Sequence, residues 1–434
     1  MTWTLAVIAM LLVGYAAASG RLRRLNITAP MFFTLTGLLV GPALGWIDLG
    51  VDRAQIKLMA EVTLTLILFA DASRISIPAL RREHTVPLRL LAIALPLTIV
   101  AGMGAGLAVL PGVSLVEALV LATMLASTDA ALGQAVVTDE RIPSRIRQGL
   151  NVESGLNDGL CVPLFLIAIA LAEDQEGAMT GSAALHLVFE EIGFGALAGI
   201  AAGGVGGLVL LWAARRRTIE AGWKQLLAAA TALLSVGLAL PLGGSIFIAA
   251  FVAGFTFGWL HRQREGTTTY LVDEGGELAN AVTFIIFGAV ILGPAISELT
   301  WQLVLYAALS LTVVRMVPVA ASLIGTHARP TTVLFLGWFG PRGVASIVFG
   351  VILVDESELN AEHTLLLAVV ATVGLSVIAH GLSAGPGATW YANWFASHPE
   401  HAQPPMESVP AAAHRWRTGP ALPADSTAID DQGP

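Results

Sequence analysis

The chain has 434 residues, of which 55% are hydrophobic and only 12% are charged. A water-soluble domain of this size needs a larger charged fraction to cover its surface, so the composition excludes an ordinary soluble protein. The formal net charge is −8, and no basic stretch indicates binding to nucleic acid. The single cysteine, Cys161, excludes an intrachain disulfide and any metal site built from several cysteines.

The apolar residues are grouped into runs long enough to cross a bilayer, which takes about 20 helical residues. These runs predict an all-α polytopic membrane protein with about thirteen transmembrane helices. In chain order the predicted spans are Trp3–Ser19, Ile27–Trp46, Gln55–Ile77, Val86–Leu110, Ser114–Val137, Leu150–Leu171, Ala183–Ala213, Trp223–Leu240, Ser245–Trp259, Leu278–Leu292, Trp301–Ile324, Thr332–Val354 and Leu365–Ser383.

The basic residues between the spans predict the direction of the chain. They fall almost entirely in odd-numbered loops, as Arg215–Arg217 do, whereas the even-numbered loops and their helix ends hold only Arg53 and Lys57. Because positively charged loops stay in the cytoplasm, the N-terminus is predicted to lie outside and the C-terminus inside the plasma (inner) membrane.

The composition changes after about Trp394, where Pro, His, Ala and polar residues follow without periodicity. We therefore expect residues 1–394 to form the transmembrane domain and residues 395–434 to form a disordered cytoplasmic tail.

Ionisable residues inside predicted spans are costly and therefore indicate function. Two basic and four acidic side chains are predicted there, so some carboxylates must be protonated or balanced by a bound cation. Three further groups near span ends, Glu61, Glu117 and His380, are expected to be merely solvated. The interior residues are Asp71, Asp129, Glu153, Asp158, Arg315 and Arg342.

The sixth span presents its polar residues on two adjacent faces of one helix. Ser154 and Asp158 are four residues apart and share a face, so both are expected to point into a cavity. Glu153 and Asn157 share the neighbouring face. Because an unpaired buried carboxylate is costly, Arg315 is the expected partner of Glu153, and the pair is interpreted as a buried strut between two helices.

The fifth and twelfth spans contain residues that interrupt a helix. Ala126–Asp129 are small and polar, and Gly340–Gly343 include a proline and two glycines. The two breaks hold corresponding positions in spans 1–6 and 8–13, which predicts six-helix inverted repeats with a transport site near the midplane. The carbonyl groups of such breaks can coordinate a cation, and Arg342 can neutralise the negative ends of half-helices.

The residues of the sixth span carry a family resemblance. Asn151–Gly159, read Asn-Val-Glu-Ser-Gly-Leu-Asn-Asp-Gly with Pro163 beyond, resembles the signature of the monovalent cation:proton antiporters of the NhaP type. The related animal sodium/proton exchangers belong to the same group. Further matches support the resemblance, which covers nearly all of the chain before the tail. They are Ser127-Thr128-Asp129, Gly340-Pro341-Arg342-Gly343, Gly37–Pro42 and Phe69-Ala70-Asp71.

The resemblance implies a role for each matching residue. Asp158 is the essential carboxylate that binds either a cation such as Na⁺ or a proton, and Asp129, Thr128 and Ser154 line the same site. Asn157, where an electrogenic sister branch has a second aspartate, implies electroneutral exchange. The remaining roles are the structural pair Glu153–Arg315, the supporting residue Arg342, and Asp71 near the cytoplasmic approach.

The resemblance also implies an architecture and a set of partners. Spans 1–3 and 8–10 form a dimerisation domain, whereas spans 4–6 and 11–13 form a mobile core, and the protein is expected to be a homodimer. We expect no enzyme activity and no cofactor, since the only ligands are the transported cation and proton.

One residue departs from the family pattern. Family members commonly have a proline after the Thr-Asp pair, where this chain has Ala130. The break in the fifth span is therefore expected to depend on tertiary packing and on local polar side chains.

Competitive exchange is the favoured mechanism, because desolvation and a neighbouring acid let protons and a hard cation compete for one carboxylate. A K⁺/H⁺ antiporter of the same family is the main alternative. A cation channel fits less well because both halves contain a broken helix. An intramembrane aspartyl protease using Asp129 and Asp158 fits least, because neither aspartate has the surrounding sequence of such enzymes.

Overall fold

The computed structural model describes residues 3–45, 53–75, 80, 83–175, 181–261, 268–356, 359–398 and 404–409. Throughout these ranges every regular element is a helix, which confirms the predicted all-α class. Two predicted span ends, Trp46 and Ile77, lie outside the described residues. The α-helices, numbered in chain order, are α1 Thr4–Arg24, α2 Ala29–Leu38, α3 Arg53–Arg74, α4 Thr85–Arg89, α5 Leu95–Val109, α6 Leu115–Met124, α7 Gln134–Thr138, α8 Ser144–Gln175, α9 Gly181–Arg216, α10 Ala221–Ala239, α11 Ile246–His261, α12 Tyr270–Ile286, α13 Gly293–Ala295, α14 Trp301–Leu311, α15 Val313–Ser322, α16 Pro330–Trp338, α17 Val344–Glu356 and α18 Glu362–Ala396.

The predicted spans coincide with single helices or with consecutive helices. Within the described ranges, eight helical stretches are long and apolar enough to cross a bilayer, and four shorter apolar helices accompany them. The number of thirteen crossings stays a prediction, because length and hydropathy do not show where a helix meets lipid.

Three spans contain a π-helical segment next to a proline. These segments are Leu39–Ala43, which includes Pro42, Leu90–Ala94 before Pro96, and Phe287–Leu292 before Pro294. Proline removes one backbone donor from the ladder, and the widened turn accommodates the carbonyl group that loses its partner.

The interrupted helices are arranged in corresponding pairs. The fifth span is split into α6 and α7, and the twelfth into α16 and α17. The eleventh span, predicted as one helix, is divided between α14 and α15 at Thr312, whose φ of −112° and ψ of −93° lie outside the helical range. The fourth span, its counterpart, carries the bulge Leu90–Ala94. Irregular backbone at matching positions of both halves supports the inverted repeats.

The helices α3 and α11 approach each other closely through two glycines. Gly254 faces the carbonyl group of Phe69, and Gly258 faces the carbonyl group of Ser73, so that a Cβ at either glycine would overlap with backbone. Close backbone approach through small residues four apart is a recurrent means of packing helices within a membrane, where lipid removes the hydrophobic driving force.

The chain after α18 returns to the helix bundle over Pro404–Val409. The Glu407 side chain is fully buried and accepts hydrogen bonds from the Thr332 hydroxyl at 2.6 Å and from the Arg329 backbone N–H at 2.8 Å. Met406 joins an apolar cluster, and its carbonyl group accepts a hydrogen bond from Arg145 at 2.8 Å. The structure thus differs here from the disordered tail predicted over residues 395–434. A short polar segment gives no periodic signal of its docking, and residues 399–403 and 410–434 lie outside the described ranges.

The docked segment is expected to stabilise the bundle. Replacing Glu407 with alanine leaves the Arg329 N–H and the Thr332 hydroxyl without this acceptor, which should cost about 1–3 kcal/mol. Melting of the detergent-solubilised protein, followed by fluorescence-detected size-exclusion chromatography, should show a lower midpoint. Ser408→Ala is the matched control, because Ser408 is on the exposed side of the same segment. A Glu407→Ala midpoint equal to that of Ser408→Ala would show that the Glu407 hydrogen bonds contribute nothing to stability.

Candidate ion-binding site

The two interrupted helices meet at their breaks. Between α6 and α7, the Asp129 backbone N–H donates a hydrogen bond to the carbonyl group of Pro341 at 2.8 Å, in the break between α16 and α17. Gly343 lies directly against the Asp129 carboxylate, where any Cβ would overlap with it. The break in the fifth span therefore persists with Ala130 in place of proline, because tertiary contacts hold the backbone outside the helical range.

Charged side chains neutralise the helix ends at this crossing. The Arg342 guanidinium, which is 0% exposed, donates to the carbonyl groups of Ala126 at 2.8 Å and Ser127 at 2.9 Å, just beyond the negative end of α6. The Asp129 carboxylate accepts hydrogen bonds from the Ala131 N–H at 2.7 Å and the Val344 N–H at 3.3 Å, at the positive end of α17. Each break thus supplies the charge that balances the helix end of the other.

The helix α8 holds the first break through two polar residues. Asn157 accepts a hydrogen bond from the Thr128 N–H at 3.0 Å and donates to the Thr128 hydroxyl at 3.1 Å and to the Ala126 carbonyl group at 3.3 Å. The Ser154 hydroxyl donates to the carbonyl group of Thr128 at 2.8 Å. Asn157 therefore provides the donors and acceptors that the interrupted backbone lacks.

Asp158 lies on α8 between the face that contacts the crossing and the face that contacts α3 and α11. Gly155 faces Asp71 of α3, at 3.5 Å between the ideal Cβ position and the Asp71 Cβ, and Gly159 faces the ring of Phe251 in α11. At about 100° per residue, Asp158 projects about 40° from Ser154 and about 60° from Gly155. Its buried side chain therefore points between the crossing and the interface with α3 and α11.

A small cavity of about 20 Å³ lies beside the crossing, which is room for one water-sized particle. Its lining includes the predicted site residues Thr128, Asp129, Ser154 and Glu153 together with Pro341 of the opposite break. Asp158 lies one turn beyond Ser154 and outside this lining. The oxygen-bearing residues of the cavity and the carboxylate of Asp158 are thus adjacent but separate parts of the site.

The Glu153–Arg315 pair is fully buried, and its Glu153 also lines the small cavity beside Ser154. A guanidinium nitrogen of Arg315 lies 2.6 Å from a carboxylate oxygen of Glu153, and the two side chains are 2% and 3% exposed. The kink at Thr312 begins the helix that carries Arg315, and Gly340 packs directly against the guanidinium. The pair therefore connects α8, α15 and the second break.

Sequence reasoning missed two residues that hold the second break. His380 Nε2 lies 3.0 Å from the Trp338 carbonyl group at the end of α16, so it donates there, and Nδ1 lies 3.1 Å from the Ser376 hydroxyl. That hydroxyl oxygen accepts a hydrogen bond from the Arg342 N–H at 2.7 Å. The expectation that His380 is solvated was wrong, because its 0% exposed ring serves backbone groups that the broken helix leaves without partners.

Glu117 is also buried rather than solvated as expected. It completes a capping box with Ser114 at the start of α6 and accepts a hydrogen bond from the Ala361 N–H at 2.7 Å, just before α18. The Ser-x-x-Glu spacing was a usable signal for the cap, but the contact with α18 joins residues far apart in sequence.

Two interrupted helices that cross beside buried carboxylates define a secondary transporter built from inverted repeats. The sequence model of the family described as "Sodium/hydrogen exchanger, transmembrane" matches residues 7–390. The chain belongs to this family, and the resemblance to NhaP-type cation:proton antiporters is confirmed.

Named relatives and a solved structure agree with this assignment. The chain is 27% identical over 349 residues to a Na⁺/H⁺ antiporter of Schizosaccharomyces pombe, covering 75% of this chain and 73% of the relative. It is 24% identical over 393 residues to the K⁺/H⁺ antiporter NhaP of Alkalimonas amylolytica, covering 89% of this chain and 66% of the relative. The structure of a sodium proton antiporter from Methanocaldococcus jannaschii at pH 8 superimposes with a TM-score of 0.72 at 22% identity, covering 90% of this chain and 99% of that chain. At this identity the likeness establishes the fold.

The buried ion pair gives a test of its structural role. Glu153→Gln leaves the buried Arg315 guanidinium without its counter-charge, and Arg315→Met leaves the buried Glu153 side chain without its partner. Each substitution should destabilise the protein by about 3–5 kcal/mol. The double variant Glu153→Met/Arg315→Met removes both charges and should recover much of the folded yield, measured by fluorescence-detected size-exclusion chromatography. A double variant that is no better folded than either single variant would contradict the interpretation as a strut.

Proposed function

We propose that the chain is a secondary active antiporter that exchanges a monovalent cation, Na⁺ first, for a proton across the membrane. The observation that carries the proposal is the position of Asp158, a buried carboxylate between the crossing and the α3–α11 interface. An acid in such surroundings is stable only when a proton or a cation neutralises it. Membership of the sodium/hydrogen exchanger family supports the same function.

The site supplies oxygen ligands around one exchangeable charge. Asp158 takes either the proton or the cation, whereas Asp129, Thr128 and Ser154 provide further oxygen atoms at the cavity. The Asp129 carboxylate can contact a cation while it accepts two backbone hydrogen bonds, because an ionised carboxylate has about four lone-pair positions. Since cation and proton compete for one carboxylate, binding of one releases the other.

Alternating exposure follows from motion of one group of helices against the other. In the proposed division, spans 4–6 and 11–13 form the moving core, and spans 1–3 and 8–10 form the dimerisation domain of a homodimer. Gly155 and Gly159 support this division, because at these two positions α8 places no side chain against Asp71 of α3 and Phe251 of α11. The proposed location is the plasma (inner) membrane, with the N-terminus outside and the C-terminus in the cytoplasm.

Proteoliposomes with a preset pH gradient and an internal pH dye provide the main test. Adding Na⁺ or Li⁺ should dissipate the gradient, whereas choline should not, and Asp158→Asn should abolish the response because an amide cannot exchange a proton. Glu298→Gln is the matched control, since Glu298 is an exposed acid at the end of a span and should retain exchange. Full exchange by folded Asp158→Asn, or no response to any alkali cation, would refute the proposal.

The same assay decides between Na⁺ and K⁺. The relative named as a K⁺/H⁺ antiporter aligns with 89% of this chain, which favours K⁺ as the second candidate cation. A lower half-saturating concentration for K⁺ than for Na⁺ would assign the chain to K⁺/H⁺ exchange through the same carboxylate.

The presence of Asn157 beside Asp158 generates a prediction about charge balance. With one ionisable carboxylate at this position of α8, one cation should exchange for one proton without net charge movement. Exchange rates should then be equal with and without a valinomycin clamp of the membrane potential, using Na⁺ as the transported cation. A rate that changes with the imposed potential would show that the exchange is electrogenic.

A further inference from the structure

A second group of charged side chains lies near Asp158, on helices other than α8. Arg74 of α3 lies between two acids, with Nη1 3.1 Å from an oxygen of Asp71 and Nη2 2.6 Å from an oxygen of Asp273 in α12. The three side chains are between 7% and 16% exposed. Two carboxylate side chains therefore share one guanidinium here.

This group lies next to the helix turn that carries Asp158. Asp71 faces Gly155, and Gly155 precedes Asp158 by less than one helical turn. Because α8 begins at its predicted cytoplasmic end, Asp71 lies on the cytoplasmic side of Asp158. A cation that approaches Asp158 along the interface between α3 and α8 therefore meets the Asp71 carboxylate first.

We propose that Arg74 is an internal counter-cation that competes with the transported cation for Asp71, and thereby sets the apparent cation affinity on the cytoplasmic side. This inference rests on the antiport function proposed above. While the approach is empty, the guanidinium neutralises Asp71. When a cation enters, it takes the place of the guanidinium at Asp71, and Arg74 remains paired with Asp273.

The geometry explains why the displaced arginine needs a second acid. A buried guanidinium without any partner is costly, and Asp273 forms the shorter of its two contacts. Asp71 and Arg74 are three residues apart on α3, so a side-chain rotation alone can separate them. Since α3 and α12 both belong to the proposed dimerisation domain, the competing charge does not move with Asp158.

The proposal predicts opposite effects of two substitutions on the half-saturating Na⁺ concentration at the cytoplasmic side. Arg74→Gln removes the competitor and should lower this concentration by about 5-fold, which corresponds to about 1 kcal/mol at 25 °C. Asp273→Asn confines the guanidinium to Asp71 and should raise it. Arg74→Lys keeps the positive charge and should remain close to the native value.

The measurement uses everted membrane vesicles of the full-length chain at alkaline pH, where competition from protons is weakest. Maximal rates are normalised to the amount of monodisperse protein, so that a folding defect appears in the rate and not in the half-saturating concentration. In an Asp71→Asn background the substitution Arg74→Gln should have no further effect, because the contested carboxylate is absent.

Three outcomes would overturn the inference. They are an unchanged or higher half-saturating concentration in folded Arg74→Gln, an unchanged value in folded Asp273→Asn, or an effect of Arg74→Gln that persists without Asp71. If Arg74→Gln does not fold, Asp273→Asn and Arg74→Lys decide the matter alone. Absence of exchange by the native chain would instead refute the proposed antiport function, before any variant is compared.

Discussion

The structure depends on one constraint, which is that a helix interrupted inside a membrane exposes backbone groups that lipid cannot satisfy. Arg342 meets this constraint at the end of α6, where one guanidinium nitrogen serves two carbonyl groups. Asp129 meets it at the start of α17, where its carboxylate accepts a hydrogen bond from the Val344 N–H. The breaks stay open because each contains the charged residue that the other requires.

The two helices beside the crossing, α8 and α18, carry buried polar residues for the same reason. Asn157 of α8 serves the first break, and Ser376 with His380 of α18 serves the second. These two helices are the sixth and thirteenth spans, which correspond in the two repeats. Each repeat thus contributes one broken helix and one continuous helix that satisfies a break.

Hydropathy and helix breakers predicted the class of fold, the apolar helices and both breaks, because each depends on neighbouring residues in the sequence. The family signature drew attention to Asp158 and Ser154. What remained hidden depends on partners that are distant in sequence. The docking of Glu407 and the buried state of His380 are examples, since a single polar residue does not reveal which distant backbone group it serves. The proline-associated π segments carried a local signal that hydropathy alone does not use.

The arrangement separates the residues that maintain the site from the residue that exchanges ions. Asp129 is held by the Ala131 and Val344 amides and belongs to the crossing, so its loss would damage the scaffold and the ligand set together. Asp158 instead points toward the boundary between α8 and its neighbours α3 and α11. At that boundary Gly155 and Gly159 place no side chain of α8 against Asp71 of α3 and Phe251 of α11. A carboxylate placed at a smooth boundary can change its exposure when the helices slide, whereas one embedded in the crossing would have to break the hydrogen bonds that keep both helices open.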